Sequence, residues 1–313
     1  MRYVAGISAL ALLAVAPAAF GQAKKAAPAP AAKPAATTLE RVKANGTLKL
    51  GYRTDARPFS FKDGSGNPSG YSVDLCNAVA EAVKAKSGVA DLKVEWVPVS
   101  VDDQLQAVQQ HDVDLLCAAL TVTLGRREQV DFSQPIFPGG VGVVVRTDSP
   151  KRLRQILNGE ATTYTPTWKA VALNILREQV FTVVPGTTAE QWLKEKGQEF
   201  QVEFALSPAT DYNAGVQAVL DRKASAFFAE RAILLDAVKS NKAAGDLVVL
   251  DRQYTYERLA LPIQRGDDDF RLLVDRTLSK EFESAGYRGT YAKWFGEPNE
   301  KSEVFFRWNS LPE

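Results

Sequence analysis

Short apolar runs alternate with helix-period stretches along most of this chain. LKLGY at 48–52 reads as a strand, 72–86 as an amphipathic helix, VEWVPV at 94–99 as a strand, 102–110 as a helix and VDLLCAAL at 113–120 as a strand. A stretch at 148–181 interrupts the pattern, and its TYTPTWK portion carries no clear period. The alternation then resumes: FTVV at 181–184, a helix over 188–197, VEFAL at 202–206, a helix over 213–222, ASAFFA at 224–229, a helix over 230–239 and LVVL at 247–250. YERLALPI, a long amphipathic helix over 268–285 and a short one over 291–295 close the chain. Strands alternating with helices predict βαβ units and mostly parallel sheets. Two such units joined by extended segments predict two α/β lobes with a cleft between them, where ligands sit beyond the carboxyl ends of strands.

The N-terminus does not share the pattern. MRYVAGISALALLAVAPAAFGQA places one cation at Arg2, an apolar run from Val4 to Val15 and small residues up to Ala23, the layout of a cleavable secretory signal over 1–23. The run falls well short of the roughly 20 residues a bilayer requires, and no cysteine near the junction offers a lipid anchor. KKAAPAPAAKPAATT at 24–38 cannot bury enough apolar surface to offset its chain entropy and reads as a disordered spacer. An exported chain enters an oxidising compartment, where two cysteines, Cys76 and Cys117, favour a disulfide.

Charge narrows the partner. With 38 basic and 37 acidic residues, a net charge of +1 and no long block of one sign, the chain has no patch for nucleic acid or a membrane surface. A small molecule or another protein is expected instead. The single histidine, His111, sits in a QQHD turn and reads as a surface residue. Neither a metal cluster nor a Ser-His-Asp triad can be assembled from it, and no G-x-S-x-G, H-E-x-x-H, P-loop or G-x-G-x-x-G occurs, so no metal or cofactor is expected.

The densest candidate chemistry lies in TVTLGRREQVDFS. Thr121 closes a strand, Thr123 is suited to cap a helix, and Arg126 falls in the first helical turn beside free main-chain N–H groups, where a carboxylate can take a bidentate fork. The segment resembles the extracellular solute-binding proteins of family 3, the amino-acid-binding proteins of ABC transporters. The small residue Ala119, Thr121, the T-x-x-R of Thr123 and Arg126, and VDFSQPIF match its pattern. GYRTDARPFSF at 51–61, GYSVDL at 70–75, VVPGTTAEQWL at 183–193 and YAKWFGEP at 291–298 follow in the family's order and span the chain beyond the spacer. The first strand and the two cysteines most resemble the glutamate/aspartate-binding subgroup.

That resemblance implies the two-lobed type II periplasmic binding protein fold, two α/β lobes joined by two hinge strands, with 39–137 and 259–313 in one lobe and 138–258 in the other. It implies that Arg126 grips a ligand α-carboxylate, helped by Thr121 and the main chain at Ala119, and that Arg53 reads the ligand side chain; Arg53 can equally pair with Asp55. Glu230 stands where the family has an aspartate receiving the ligand ammonium, and it can equally serve as a first-turn acid on the helix dipole. Thr187 or Thr188, at the helix start after Gly186, faces the ligand, and Thr187 with Glu190 forms a T-x-x-E capping signal. Glutamate binders resemble one another in a serine and an arginine that align here with Val101 and Gln104, so one clamp on a side-chain carboxylate is missing. Phe59 and Tyr52 are expected to line the cleft, Trp192, Trp294 and Trp308 to be core, and Cys76 to pair with Cys117. The expected function is a monomeric periplasmic carrier of a polar or acidic amino acid, delivering it to an inner-membrane permease. A cyclohexadienyl dehydratase-like enzyme using Glu230 as general acid, and a ligand sensor docking to a membrane receptor, share the same fold.

Overall fold

A computed structural model describes residues 36–160, 174–284 and 286–313. The expected signal at 1–23, most of the 24–38 spacer and the TYTPTWK portion lie outside the described residues. Among the described residues no helix is long and apolar enough to cross a membrane.

The first part of the chain contributes β1 (Thr47–Tyr52), β2 (Asp55–Ala56), β3 (Ser60–Lys62), β4 (Pro68–Ser69), β5 (Lys93–Pro98), β6 (Leu115–Leu116), β7 (Leu120–Thr121) and β8 (Asp131–Phe132). Strand β9 (Phe137–Gly139) leads into β10 (Val141–Arg146), β11 (Val180–Val183), β12 (Ala205–Pro208), β13 (Ala226–Glu230) and β14 (Leu247–Val249). Strand β15 (Glu257–Ala260) returns the chain to β16 (Pro262–Ile263). Two five-stranded sheets result, ordered β5-β1-β6-β16-β8 and β12-β11-β13-β10-β14. In the first, β1 runs parallel to β5 and β6; in the second, β11 runs parallel to β12 and β13. The two crossings, β9 and β15, pair with each other in a separate sheet in which β15 also pairs with β7, with Leu259 opposite both Thr121 and Phe137, and Glu257 opposite Gly139. They are the two hinge strands of a two-lobed α/β fold.

Burial explains why each element formed. The helix Tyr71–Ser87 presents Leu75, Cys76, Val79 and Val83 at helical spacing to Leu48 and Leu50 of β1 and to Phe270, Val274 and Leu278 of the helix Asp268–Glu283. In the second lobe Val143 and Val145 face Phe181, Phe228 and Leu193, whereas Val144 faces Phe227, Val216 and Leu234. A strand buried on both sides has to be apolar at every position, which is why VGVVV does not alternate. Cys76 and Cys117 are disulfide-bonded with Cα atoms 6.0 Å apart, tying that helix to the chain just after β6 across a separation of 41 residues. Closing such a loop stabilises a fold by about 3–4 kcal/mol.

Several elements differ from expectation. VDLLCAAL is not one strand: pairing stops after Leu116 and resumes at Leu120, and Ala118 and Ala119 between them border the cleft. VEFAL shifts to β12, because the preceding helix runs through Gly197 to Phe200 and ends only where Gln201 adopts φ 53°. A helix at Thr38–Asn45, which begins at the last residue assigned to spacer and was not expected, carries a capping box between Thr37 and Glu40, a T-x-x-E signal at the spacer boundary. The terminal helix Glu300–Asn309 was also unanticipated; it buries Ser302 and Phe306 and leaves Trp308 on its opposite face, 81% exposed, so Trp308 is not core. Trp192 and Trp294 do pack against the cores of their lobes. His111 occupies the expected turn, partly buried at φ 60°.

Candidate functional site

Both lobes deliver polar side chains to one small cleft. Strand β1 ends at Tyr52, and the next residue, Arg53, turns in: its Nη2 donates to Asp55 at 2.6 Å, and its Nε is buried with no hydrogen-bond partner among the described residues. The pairing with Asp55 therefore exists, yet it leaves a donor unused beside the cleft. Phe59 borders the cleft from an aromatic cluster, with its ring centroid 5.0 Å from that of Phe137. Tyr52, expected beside it, instead meets Trp96 of β5 edge-on and does not line the cleft.

Thr123 caps the short helix Leu124–Arg127 by accepting from the main-chain N–H of Arg126 at 3.2 Å, which holds that side chain at the cleft. The Arg126 guanidinium donates from Nη1 to the carbonyl of Thr121 at 2.8 Å and from Nη2 to the carbonyl of Gly186, on the other lobe, at 3.3 Å. Burial pulls its pKa below the ordinary value, and Glu257, then Tyr212, oppose that shift. A desolvated guanidinium with only carbonyl partners is a strong site for a carboxylate.

From the second lobe, Gly186 at φ 74° makes the turn before the helix Thr188–Phe200. Thr187 caps that helix, while Glu190 reaches back to the N–H of Gly186 at 3.0 Å rather than to Thr187 itself. The Thr187 hydroxyl donates to the carbonyl of Val184 at 2.7 Å, and that of Thr188 to Glu257 Oε2 at 3.0 Å. Glu230 ends β13 and caps the helix Arg231–Ser240; its Oε1 accepts from the N–H of Ala232 at 3.0 Å and its Oε2 from that of Gly140 at 2.7 Å. Only glycine fits at 140, where a Cβ would lie 2.0 Å from the carbonyl of Thr255. Burial lifts the Glu230 carboxyl to about 7, against the pull of those main-chain bonds.

Arg53, Phe59, Ala119, Thr121, Arg126, Thr187, Thr188 and Glu230 thus border one cavity of about 60 Å³. Val101 and Gln104 border it too. A wider hollow of about 660 Å³, lined by Leu193, Lys194, Gln201 and Phe204 among others, touches none of these residues. Two participants were not anticipated from the sequence. Tyr212 opens the helix Tyr212–Leu220 behind its cap Asp211 and borders the cavity; burial pushes its hydroxyl up to about 12, with Arg53, Asp55, Glu230 and Arg126 close enough to act on it. Glu257, on β15, accepts from Thr121 Oγ1 at 2.6 Å as well as from Thr188, and from Thr255 Oγ1 at 2.6 Å on its other oxygen. The available signals were a helix start at Tyr212 capped by Asp211, and an acid, Glu257, opening the hinge segment ERLA.

A two-lobed α/β frame with a charged interlobe cleft is the arrangement found in solute-binding proteins. The chain belongs to the bacterial extracellular solute-binding proteins, family 3, which it matches over residues 48–297. It is 27% identical to the glutamate/aspartate import solute-binding protein of Escherichia coli over 291 residues, 93% of this chain and 88% of the relative. It is 28% identical to the L-glutamate/L-aspartate-binding protein of Pseudomonas aeruginosa over 262 residues, 83% of this chain and 80% of the relative. Among solved structures it is similar to an ancestral amino-acid-binding protein described as a precursor of cyclohexadienyl dehydratase. That match has a TM-score of 0.67 at 27% identity, covering 83% of this chain and 100% of the other.

Proposed function

We propose that this protein is the periplasmic solute-binding component of an amino-acid ABC transporter, a monomer that closes around a polar or acidic amino acid and presents it to an inner-membrane permease. The observation that carries this reading is the Arg126 guanidinium, desolvated in the cleft and bonded to carbonyls of both lobes. A ligand carboxylate that replaced those carbonyls would gain a charge-assisted fork and hold the lobes together. Names of the relatives support an acidic ligand, and Arg53 with its unused Nε gives a second cation for a side-chain carboxylate or carbonyl. Gln104, where glutamate binders resemble one another in an arginine, argues for a carbonyl-bearing ligand as readily as for glutamate. The cavity is small, about 60 Å³, and parting of the lobes at β9 and β15 is the route by which a ligand would enter it. A thermal-shift panel of the twenty amino acids, organic acids and small peptides tests the reading, since a ligand specific to the folded state raises the melting temperature. No shift with any amino acid would sink it.

One observation favours a second reading. A buried carboxyl held near 7, as Glu230 is, suits a general acid, and a precursor of a dehydratase is among the similar structures. Incubation with prephenate or arogenate decides: aromatic product means an enzyme, and none leaves the binding protein.

A further inference from the structure

We infer that Glu257 is a positioning residue that makes the cleft select for a ligand amino group, because its carboxylate takes the only protons of the Thr121 and Thr188 hydroxyls. This rests on the amino-acid-binding reading above and names which end of the ligand goes where. A hydroxyl has one O–H to donate and two lone pairs, and a carboxylate can only accept. Thr121 Oγ1 at 2.6 Å and Thr188 Oγ1 at 3.0 Å therefore both spend their protons on the same oxygen, Glu257 Oε2. What these two cleft-lining threonines retain for a ligand is acceptor capacity. As hydroxyls they can receive N–H groups and have no proton left for a carboxylate, which departs from the part in carboxylate binding that the family resemblance implies for Thr121.

Glu257 is held where it can impose this. Its other oxygen accepts from Thr255 at 2.6 Å, and its main chain is paired with Gly139 of β9, so the carboxylate is anchored to the hinge strands. The two hydroxyls it collects come from opposite lobes. Charge points the same way. Glu230, in the place expected for the ammonium partner, already gives both oxygens to main-chain N–H groups. Glu257 is then the carboxylate that stands one atom behind the acceptors, while Arg126, next to Thr121, takes the ligand carboxylate. A ligand amine bound to Thr121 and Thr188 would be paired, through them, with the part-buried carboxylate of Glu257.

The alternative is a simple latch, in which Glu257 only fastens the lobes and every ligand gains equally. Isothermal titration of wild-type protein and Glu257→Gln separates the two. The probes are the amino acid giving the largest thermal shift among the twenty and the same acid without its amino group, glutarate for L-glutamate or glutaramate for L-glutamine. Hydrogen bonds to charged groups contribute enough that removing the charge should weaken the amino acid roughly tenfold or more. The deaminated acid should weaken less than about threefold, so the preference for an amino group collapses. Thr188→Val should lower the same preference, and Thr188→Ser, which keeps the hydroxyl, should retain it. Equal losses for both probes, or an unchanged preference in Glu257→Gln and Thr188→Val, overturn the inference and leave the amino-acid reading intact. Wild-type protein that binds none of the twenty overturns both.

Discussion

The first lobe brings to the cleft two guanidinium groups, Arg53 and Arg126, whereas the second brings main-chain N–H groups and Glu230, a carboxyl that burial holds near 7. The lobes also differ in how they are fixed. The first is crosslinked between Cys76 and Cys117, close to the segment that carries Ala119, Thr121 and Arg126. Among the described residues the second has no crosslink, and its site residues hang on helix starts at Thr188, Tyr212 and Arg231. One side is a preset anion grip and the other an adjustable cover. Interactions that are already oriented cost less ordering on binding, so the larger share of affinity is assigned to the first lobe.

Arg126→Ala is the strongest way to break that assignment. Truncating one partner of a desolvated, hydrogen-bonded charge pair costs about 4 kcal/mol, or roughly a thousandfold in affinity. Titration of the variant with the best ligand of the thermal-shift panel checks it. A loss no greater than that of Thr188→Val would mean the lobes contribute alike.

The first lobe was also the more legible in the sequence, for a physical reason. Arg126, Thr121 and Ala119 lie within eight residues of one another, so local capping and strand-ending signals sufficed to place them together. Alternation of apolar runs with helical periods sufficed for two lobes, although β10, apolar from Val141 to Val145 because it is buried on both faces, was not among the strands read from it. Glu257 and Tyr212 were not legible as site residues. Each acts through neighbours far away in the chain, 136 residues from Glu257 to Thr121, and no local pattern encodes such a contact. Glu230 was located but its bonding was not, since that depends on a main-chain N–H at Gly140, 90 residues away.

The crosslink sharpens the comparison next. Replacing Cys76 and Cys117 by serine should lower unfolding stability by about 3–4 kcal/mol in denaturant titrations. The first lobe should become the earlier to lose hydrogen-exchange protection, with the second little changed. Simultaneous loss across both lobes would show that they fold as one cooperative unit and that the crosslink does not distinguish them.

Glu230 supplies the pH test. Its folded pKa, about 7, lies above the ordinary 4.5, so between those values the folded protein keeps a proton that the unfolded chain has released. Stability from this group is therefore highest below about 4.5 and declines as pH rises, with the full loss reached above 7. The ceiling is about 3 kcal/mol, at 1.36 kcal/mol for each unit. Melting temperatures of wild type and Glu230→Gln from pH 4.5 to 8 should diverge, with the variant lacking this component of the decline. Parallel curves would mean that the acid of the second lobe does not titrate in this range, and the contrast between fixed and adjustable charge would fail.

The smallest effect is expected where the two lobes touch at an exposed pair. Arg57 lies over the ring of Phe61 at 4.8 Å and donates from Nε to Asp236, on the helix Arg231–Ser240, at 2.8 Å. Once more the first lobe gives the cation and the second the acid. The Arg57 side chain is 49% exposed, so solvent and salt screen the pair and its contribution falls below about 1 kcal/mol. Because the pair spans the lobes, that energy favours the closed form, and Arg57→Ala should weaken ligand binding by up to about fivefold. Near 1 M salt, where screening acts within about 3 Å, variant and wild type should converge. A loss that persisted undiminished at high salt would show that the charge pair is not what favours the closed form there, and would point to the packing of Arg57 on Phe61 within the first lobe.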